Sequence, residues 1–309
     1  MKILLATEKA FTPVAVIQMR EVIESAGYKF KLLENYTSVS ELLSAVADAD
    51  GLIVRSDLIS SRIIEAAGKL RIVIRAGAGY DNIDLPACTA HNVVAMNTPG
   101  QNSNAVAELV FALMLNHIRR GFSGESGTEL RGKSIGIHAF GNVGKIVTEI
   151  AKGFSMYVYA YDPFIPESEI RHYGIKVLKR AEEMYRICHF VSLHLPSNKA
   201  TMKSIGYDLL SKMPDPAILI NTARKEIIDE EGLRKIFEER PDFCYLSDVT
   251  PDCKDVFEEK YNGRFLFTAR KMGAQTEEAN INAGVAAARQ MVDYFTTGNE
   301  KFRVNKQNH

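Results

Sequence analysis

The chain has 309 residues, 46% of them hydrophobic, and its 38 Lys and Arg residues balance its 38 Asp and Glu residues. This length predicts two folded domains, and the balanced charge argues against a nucleic-acid partner because no surplus of cations can displace the counterions of a phosphate backbone. The longest apolar run, residues 105–115, contains Glu108 and is too short for a membrane span, and the four cysteines form no C-x-x-C pair. We therefore expect a cytoplasmic protein with neither a membrane nor a nucleic-acid partner.

Short β-branched runs alternate with helical patterns along the whole chain. The first five runs are KILLA, YKFKLL, GLIVRS, RIVIRAG and NVVAMN. After Pro99 the alternation begins again with KSIGIHAF, MYVYAYD, HFVSLHLP, AILINTA and FCYLSDV, and the apolar run FLF follows. This alternation is typical of parallel sheets covered on both faces, so the sequence predicts an α/β fold with two doubly wound parallel-sheet domains.

Two longer helices are predicted in addition to those between the strands. One spans about residues 102–120 and leads into the loop GFSGESG, where glycine and serine break the periodicity. The other lies in INAGVAAARQMVDYF, whose apolar residues at 285, 288, 292 and 295 form one stripe.

A glycine turn, AFGNVG, joins the strand KSIGIHAF to a helix with apolar residues at 143, 146, 147, 150, 151 and 154. Such a turn directs free backbone N–H groups and the positive helix end toward a pyrophosphate. Gly141 lets a phosphate approach the backbone and Gly144 lets the helix pack closely on the strand, whereas Ala139 stands where G-x-G-x-x-G has its first glycine. The turn therefore predicts a dinucleotide site, with a purely structural turn as the alternative.

Asp162 ends the next strand, MYVYAYD, where a carboxylate can bind both ribose hydroxyls and repel a 2′-phosphate. This favours NAD over NADP as the cofactor. The alternative is that Asp162 only begins the turn before Pro163.

Several motifs together resemble the D-isomer-specific 2-hydroxyacid dehydrogenases, and most of all their phosphoglycerate dehydrogenase branch. They occur in order over almost the whole chain: residues 75–109 (RAGAGYDNIDLPACTAHNVVAMNTPGQNSNAVAEL), AFGNVG with YDPF, HLP at 194–196, INTARKEIIDE at 220–230, SDV at 247–249 and MGAQTEEA at 272–279. The resemblance implies a flavodoxin-like substrate domain at 1–98 plus 284–309, a Rossmann NAD-binding domain at 99–283, and a catalytic cleft between them. It also implies a homodimer built through the 102–120 helix and the GFSGESG arm. Because the sequence ends at 309, we expect it to lack the regulatory domains of longer members.

The resemblance also implies which residues hold the cofactor and the substrate. Arg224 matches the residue that grips the substrate, and its guanidinium offers a carboxylate two parallel donors. Asp248 matches the family acid at the nicotinamide end, with a capping role as the alternative. The full set implied for the cofactor is Phe140, Gly141, Asn142, Val143, Gly144, Tyr161, Asp162, His194, Pro196, Thr222, Ala223, Asp248, Gly273 and Ala274.

The remaining substrate candidates are Arg55, Ser56, Arg75, Gly77, Ala78, Gly79 and Asn97 in the first domain and Asn102 just after it. The glycine loop at 77–79 can present backbone N–H groups to an anion as a nest. Arg55 and Arg75 stand at strand ends, where a phosphate on the substrate is the natural counter-anion. The alternatives are pairing of the two arginines with surface acids and a hinge role for the two asparagines.

The sequence departs from the family at the proton carrier. The position of the family histidine holds Lys271, and Asp252 and Cys253 fall where the family has a glutamate. An ammonium has three equivalent donors and needs no partner to select a tautomer, so the two changes are coherent. The pKa of a free lysine, about 10.4, is too high for this role at neutral pH, and we expect partial burial with Arg224 and Arg270 nearby to lower it.

The resemblance, together with these residues, implies NAD-dependent oxidation of D-3-phosphoglycerate to 3-phosphooxypyruvate, at the entry to serine synthesis. Arg224 binds the substrate in this hypothesis, Lys271 is the general acid and base, and no metal takes part. Two alternatives stay open. One is a hydroxypyruvate, glyoxylate or D-lactate reductase on the same fold, and the other is a non-catalytic NAD-sensing protein in which Lys271 is simply solvated.

Overall fold

The computed structural model describes residues 1–305, in which strands and helices alternate from end to end. The strands are β1 (Lys2–Thr7), β2 (Lys29–Glu34), β3 (Gly51–Val54), β4 (Ile72–Arg75), β5 (Val94–Asn97), β6 (Ser134–His138), β7 (Tyr157–Tyr161), β8 (Lys176–Val177), β9 (Phe190–Leu193), β10 (Ile218–Asn221), β11 (Cys244–Ser247) and β12 (Phe265–Phe267). The helices are α1 (Pro13–Ser25), α2 (Val39–Val46), α3 (Ser61–Ala66), α4 (Leu85–Ala90), α5 (Ser103–Ile118), α6 (Asn142–Gly153), α7 (Glu167–His172), α8 (Ala181–Ile187), α9 (Tyr207–Leu210), α10 (Glu230–Glu239), α11 (Lys254–Lys260) and α12 (Glu277–Thr297).

The chain divides into two compact units. Unit 1 comprises Met1–Asn102 with Gln275–His309, and unit 2 comprises Ser103–Ala274. The boundaries fall at 102 and 274 rather than at the expected 98 and 283, because α5 and α12 each begin at the boundary and continue without a break. Residues 306–309, which the sequence assigned to the substrate domain, lie outside the described residues.

Unit 1 contains a five-stranded sheet with the order β2-β1-β3-β4-β5, and every pairing is parallel. Its central strands are almost fully apolar and buried, and separate hydrophobic clusters cover the two faces. The strand order reverses between β1 and β3. In doubly wound sheets ligands bind at the carboxyl ends of the strands beside such a reversal.

Helix α12 returns to unit 1 and packs against α1. It begins after Thr276, whose side chain accepts a hydrogen bond from the backbone of Ala279, and it ends at Gly298 with φ +73°. The predicted stripe is confirmed in part: Ala288 is buried and Phe295 packs against the core of unit 1, whereas residues 285 and 292 lie outside the buried face. That face is made of small residues and a methionine: Ala279, Ala283, Gly284, Ala287, Ala288 and Met291. A Cβ on Gly284 would lie 2.7 Å from Sδ of Met19, so close helix packing selects the small face.

Unit 2 contains a seven-stranded parallel sheet with the order β12-β11-β10-β9-β6-β7-β8. The two predicted parallel-sheet α/β domains are confirmed, although the two-residue strand β8 was not predicted. The order reverses between β6 and β9, which places the predicted cofactor motifs at the carboxyl ends of the central strands. Within the part of the chain that the structure describes, no helix is long and apolar enough to cross a membrane.

Candidate active site

The glycine turn between β6 and α6 leaves the start of the helix open. Gly141 is the N-cap residue, no side chain caps the first helical N–H groups, and a Cβ on Gly141 would have no neighbour within 4 Å. Gly144 lets α6 pack closely against the end of β6, because a Cβ there would lie 2.6 Å from the carbonyl oxygen of Ala139. Ala139 itself has φ +77°, in the left-handed region where the usual glycine is unstrained. An open helix terminus with no side chain in front of it fits a pyrophosphate.

The carboxylate of Asp162 holds this turn by accepting hydrogen bonds from backbone N–H groups. One carboxylate oxygen accepts from the N–H of Phe140 at 2.7 Å, and the other accepts from the N–H groups of Phe164 at 2.8 Å and Ile165 at 3.3 Å. Asp162 thus begins the turn after β7, while its contact with a ribose stays a prediction. A carboxylate has about four acceptor sites, so these bonds leave capacity for a ribose hydroxyl.

Two histidines stand side by side at the ends of β6 and β9. The N–H of His194 donates to the carbonyl oxygen of His138 at 2.9 Å, and Nδ1 of His138 lies 3.2 Å from the hydroxyl of Tyr185. Burial lowers the pKa of His138 to about 4 and that of His194 to about 3, so both rings are neutral at physiological pH. Nε2 of His194 is buried without a hydrogen-bond partner among the described residues, which fits a polar atom awaiting a ligand.

The loop after β10 is fixed by Asn221, to which no sequence motif assigned a role. Its amide donates to the carbonyl oxygen of Arg224 at 2.9 Å and its oxygen accepts from the N–H of Ala223 at 3.0 Å. A buried asparagine at a strand end was the available signal, because its amide must bond to the loop that follows. Thr222 in the same loop has a buried hydroxyl without a partner among residues 1–305.

Arg224 and Lys271 converge on one carbonyl oxygen, that of Ala223. Nη1 of Arg224 donates to it at 2.9 Å and Nζ of Lys271 donates to it at 3.3 Å. The two predicted catalytic residues, separated along the sequence, are thus brought together at the carboxyl edge of the unit 2 sheet. The expected partial burial of Lys271 is wrong for this structure, because the side chain lies on the loop after β12 and is exposed.

Asp248 ties that loop to the end of β11. Its Oδ2 accepts from the N–H groups of Met272 at 3.1 Å and Gly273 at 2.7 Å, and a Cβ on Gly273 would lie 3.0 Å from the same oxygen. Burial raises the pKa of Asp248, while the N–H of Gly273 and the charge of Lys271 oppose this rise. Asp248 therefore has the capping role given as the alternative. Its Oδ1 is also buried and has no partner among the described residues, which leaves it available to a ligand.

The residues at the position of the family glutamate are bonded elsewhere. Asp252 forms an ion pair with Lys225, and the backbone N–H groups of Asp252 and Cys253 donate to the carboxylate of Glu230. Burial and the neighbouring Glu230 raise the pKa of Cys253 to about 12, so its thiol stays protonated.

In unit 1 the substrate candidates lie at the carboxyl ends of β3, β4 and β5. Nε of Arg75 donates to the carbonyl oxygen of Arg55 at 2.9 Å, and the amide of Asn97 donates to that of Ala78 at 2.6 Å. The predicted nest needs a correction, because the N–H of Gly77 already donates to the carbonyl oxygen of Arg75 and only Ala78 and Gly79 remain for an anion. Ser56 is exposed, and Asn102 is half-buried beside the start of α5.

The remaining cofactor candidates lie at or after the carboxyl ends of strands in unit 2. Phe140 is buried, Asn142 and Pro196 are exposed, and Val143, Tyr161 and Ala274 are half-buried. Together with the open turn and the unpartnered atoms of His194, Thr222 and Asp248, they fit a dinucleotide. No group of three or more His, Cys, Asp or Glu side chains within residues 1–305 is arranged to hold a metal ion.

Comparison with known proteins agrees with this geometry. Residues 111–260 match the family model of the D-isomer specific 2-hydroxyacid dehydrogenase, NAD binding domain, which bears out the NAD prediction. The chain is 34% identical over 272 residues to a D-3-phosphoglycerate dehydrogenase of Methanocaldococcus jannaschii, covering 81% of this chain and 51% of that protein. It is 31% identical over 277 residues to a hydroxypyruvate reductase of Thermotoga maritima, covering 83% of this chain and 88% of that protein. The chain thus spans about half the length of the first of these relatives and most of the second.

A solved structure is similar over the whole length. The crystal structure of a cofactor (NAD+) bound 3-phosphoglycerate dehydrogenase from Entamoeba histolytica is 49% identical, with a TM-score of 0.90 and coverage of 99% of both chains. The matched motifs, the two parallel sheets and this likeness agree with each other. The chain therefore belongs to the D-isomer specific 2-hydroxyacid dehydrogenases.

Proposed function

We propose that the protein oxidises D-3-phosphoglycerate to 3-phosphooxypyruvate with NAD, and that it supplies this product to serine synthesis. The observation that carries the proposal is the convergence of Arg224 and Lys271 on the carbonyl oxygen of Ala223. This arrangement combines a cation for a carboxylate with an amine for a hydroxyl proton. Oxidation of a 2-hydroxyacid needs these two groups from the protein.

Each residue then has one task. Arg224 holds the carboxylate of the substrate, and Nζ of Lys271 in its neutral form accepts the proton of the C2 hydroxyl. Asp248 holds the backbone of Met272 and Gly273, and so fixes the loop that carries Lys271. Bound NAD supplies the acceptor for the hydride that leaves C2. In the reverse direction the ammonium of Lys271 returns the proton to the carbonyl oxygen.

The choice of phosphoglycerate is supported by the Entamoeba histolytica structure, which is 49% identical and is described as a 3-phosphoglycerate dehydrogenase. The Methanocaldococcus jannaschii relative carries the same name. In unit 1, the half-buried guanidinium of Arg55 has no ion pair among the described residues, which favours an additional anionic group on the substrate.

Reduction of hydroxypyruvate is the second candidate. It is favoured by the Thermotoga maritima hydroxypyruvate reductase, to which this chain is 31% identical over 277 residues. A homodimer built through α5 and the GFSGESG arm remains part of the proposal, and sedimentation equilibrium tests it.

One assay separates these functions. The purified protein is given NAD with 3-phosphoglycerate, D-glycerate or D-lactate, and NADH with hydroxypyruvate or glyoxylate, from neutral to alkaline pH. We expect the highest kcat/KM with 3-phosphoglycerate, and oxidation that becomes faster as pH rises. A preference for a phosphate-free acid would favour the reductase, and NAD binding without turnover of any acid would favour a non-catalytic NAD-binding protein.

A further inference from the structure

A buried carboxylate, that of Asp57, joins three loops at the carboxyl edge of the unit 1 sheet. The residue is 2% exposed. Its Oδ1 accepts from the N–H of Glu8 at 2.6 Å and from the hydroxyl of Tyr36 at 2.7 Å, and its Oδ2 accepts from the N–H of Arg55 at 3.1 Å. Glu8, Tyr36 and Arg55 follow β1, β2 and β3, so one side chain fixes the ends of three neighbouring strands.

The partners of Asp57 keep these hydrogen bonds in place. Burial and the adjacent Asp57 raise the pKa of Tyr36, so the phenol keeps its proton and stays a donor at any working pH. The amide of Asn82 donates to the carbonyl oxygen of Asp57 at 2.7 Å and holds the residue from the loop after β4. A buried carboxylate with three donors is well satisfied and therefore rigid.

Arg75 fixes the other side of the same peptide segment. Its Nε donates to the carbonyl oxygen of Arg55 at 2.9 Å. The guanidinium reaches this position across Gly77, where a Cβ would lie 1.8 Å from Nη1 of Arg75 and where φ is +154°. Both backbone polar groups of Arg55 are therefore bonded to side chains, the N–H to Asp57 and the carbonyl oxygen to Arg75.

The guanidinium of Arg55 remains available to a ligand. It lies 5.6 Å from the ring centroid of Phe11, and its hydrogen bond to Oε1 of Gln275 is long, at 3.5 Å. Among the described residues no ion pair joins the guanidinium to Asp57, whose charge acts on it only by opposing the lowering of the Arg55 pKa by burial. The oxygens of Asp57 accept instead from the N–H groups of Glu8 and Arg55 and from the hydroxyl of Tyr36. A half-buried cation on a fixed backbone is suited to hold an anion in one place.

We propose that Asp57 is a positioning residue, which fixes Arg55 so that its guanidinium holds an anionic group of the hydroxyacid, the phosphate in the case of 3-phosphoglycerate. The inference rests on the proposed function and deepens it. Through Arg55, Asp57 sets the preference for a phosphorylated substrate, while Arg224 and Lys271 carry the binding of the carboxylate and the proton transfer.

A double-mutant cycle tests this role. KM and kcat for 3-phosphoglycerate and for D-glycerate are measured in the parent, Asp57→Asn, Arg55→Gln and the double variant. In Asp57→Asn an amide nitrogen must face one of the three donors, so we expect KM for 3-phosphoglycerate to rise about tenfold, while kcat and the KM for D-glycerate change less than about twofold. Because Asp57 acts through Arg55, the double variant should be no worse than Arg55→Gln alone.

Control variants separate positioning from folding. Asp50→Asn is the matched control, because Oδ2 of Asp50 accepts from the N–H of Lys2 at 2.7 Å beside the amino ends of β1 and β3, and its KM should equal that of the parent. Tyr36→Phe removes one donor to Asp57 and keeps the ring, so it replaces Asp57→Asn in the test if that variant does not fold. Its KM for 3-phosphoglycerate should rise about threefold. NAD affinity should be the same in all variants, since the NAD motifs lie in unit 2.

Two results would overturn the role of Asp57. One is an unchanged KM for 3-phosphoglycerate in both Asp57→Asn and Tyr36→Phe. The other is a double variant whose fold-increase in KM equals the product of the fold-increases in the two single variants. Failure of the proposed function is recognised separately, because the parent then turns over no phosphoglycerate. In that case the cycle is measured on the Kd of 3-phosphoglycerate by calorimetry. If the two substitutions then raise this Kd independently of each other, the positioning role is overturned. If 3-phosphoglycerate does not bind at all, both proposals are overturned.

Discussion

Nζ of Lys225 lies 2.6 Å from Oδ1 of Asp252, in the loop where the family resemblance places a glutamate. Glu230 anchors the same loop by accepting the N–H groups of Asp252 and Cys253. The carboxylate that the sequence offers as a partner for Lys271 therefore has a cation of its own. A lysine can act in this setting because an ammonium, unlike an imidazole, needs no carboxylate to select its tautomer.

Asp252→Asn should leave the pH profile of kcat/KM unchanged. The substitution removes an exposed ion pair with Lys225, which costs little stability in water. The profile is measured by steady-state kinetics in the parent and the variant. A displaced profile would mean that Asp252 assists the proton carrier.

The two glycines of the turn before α6 should respond differently to alanine. Gly141→Ala adds a methyl group to open space, so its unfolding midpoint should stay near that of the parent while the Kd of NAD rises at least about tenfold. Gly144→Ala places a methyl group 2.6 Å from the carbonyl oxygen of Ala139, which should cost about 1–3 kcal/mol of stability. Urea unfolding and NAD titration by fluorescence measure the two effects. Unchanged NAD affinity in Gly141→Ala would remove the pyrophosphate from this turn.

Ala139→Gly should stabilise the protein. Ala139 has φ +77°, which costs a residue with a side chain about 1–2 kcal/mol, and the greater freedom of glycine in the unfolded chain offsets part of the gain. We expect a net gain of about 0.5–1 kcal/mol, measured by urea unfolding. Ala151→Gly, inside α6, is the matched control and should lose about 1 kcal/mol or more. Equal losses in both variants would contradict strain at Ala139.

Stability should fall as the solution is acidified below neutrality. Burial lowers the pKa of His138 from 6.5 to about 4, against the opposing charge of Asp162. A histidine that is harder to protonate when folded contributes stability above its unfolded pKa, and this contribution is lost as pH falls from about 6.5 to about 4. The shift corresponds to roughly 3 kcal/mol. Urea midpoints between these pH values measure it.

His138→Gln should make this pH dependence shallower, and the part that remains is carried by His194, because burial lowers the pKa of His194 to about 3. His172→Gln makes the same change at an exposed position in α7 and should keep the slope of the parent. Identical slopes in the parent and His138→Gln would assign the acid sensitivity to other groups.

The fold could be predicted from the sequence where pattern alone determines it. Alternating apolar runs identified the strands of both sheets, but β8 is only two residues long and contains no alternation to detect. The buried face of α12 was predicted only in part: Ala288 and Phe295 do contact the core, but the small residues that contact with Met19 requires were missed. Burial on a closely packed helix depends on the neighbouring helix, and its identity does not appear in the helix's own sequence.

The packing role of Gly144 could be predicted from its motif, and the close approach to Ala139 agrees with it, whereas the role of Arg224 stays a prediction. Contacts that depend on long-range folding were beyond prediction. The hydrogen bond between Tyr36 and Asp57 joins residues from different loops, and no pattern in either segment predicts it. For Asp162 and Asp248 the sequence offered a turn or capping role as an alternative, but their distant partners, the N–H groups of Phe140 and Gly273, became visible only in three dimensions.

The role of Lys271 is tested most directly by removing its amine and supplying another. In Lys271→Ala we expect kcat for the preferred hydroxyacid to fall by about 10²–10⁴-fold while the Kd of NAD stays unchanged, and small alkylamines added to the assay should restore turnover in the order of their basicity. Lys225→Ala, in which the neighbouring cation is removed instead, should keep the activity of the parent. Full activity in Lys271→Ala would contradict proton transfer by this lysine.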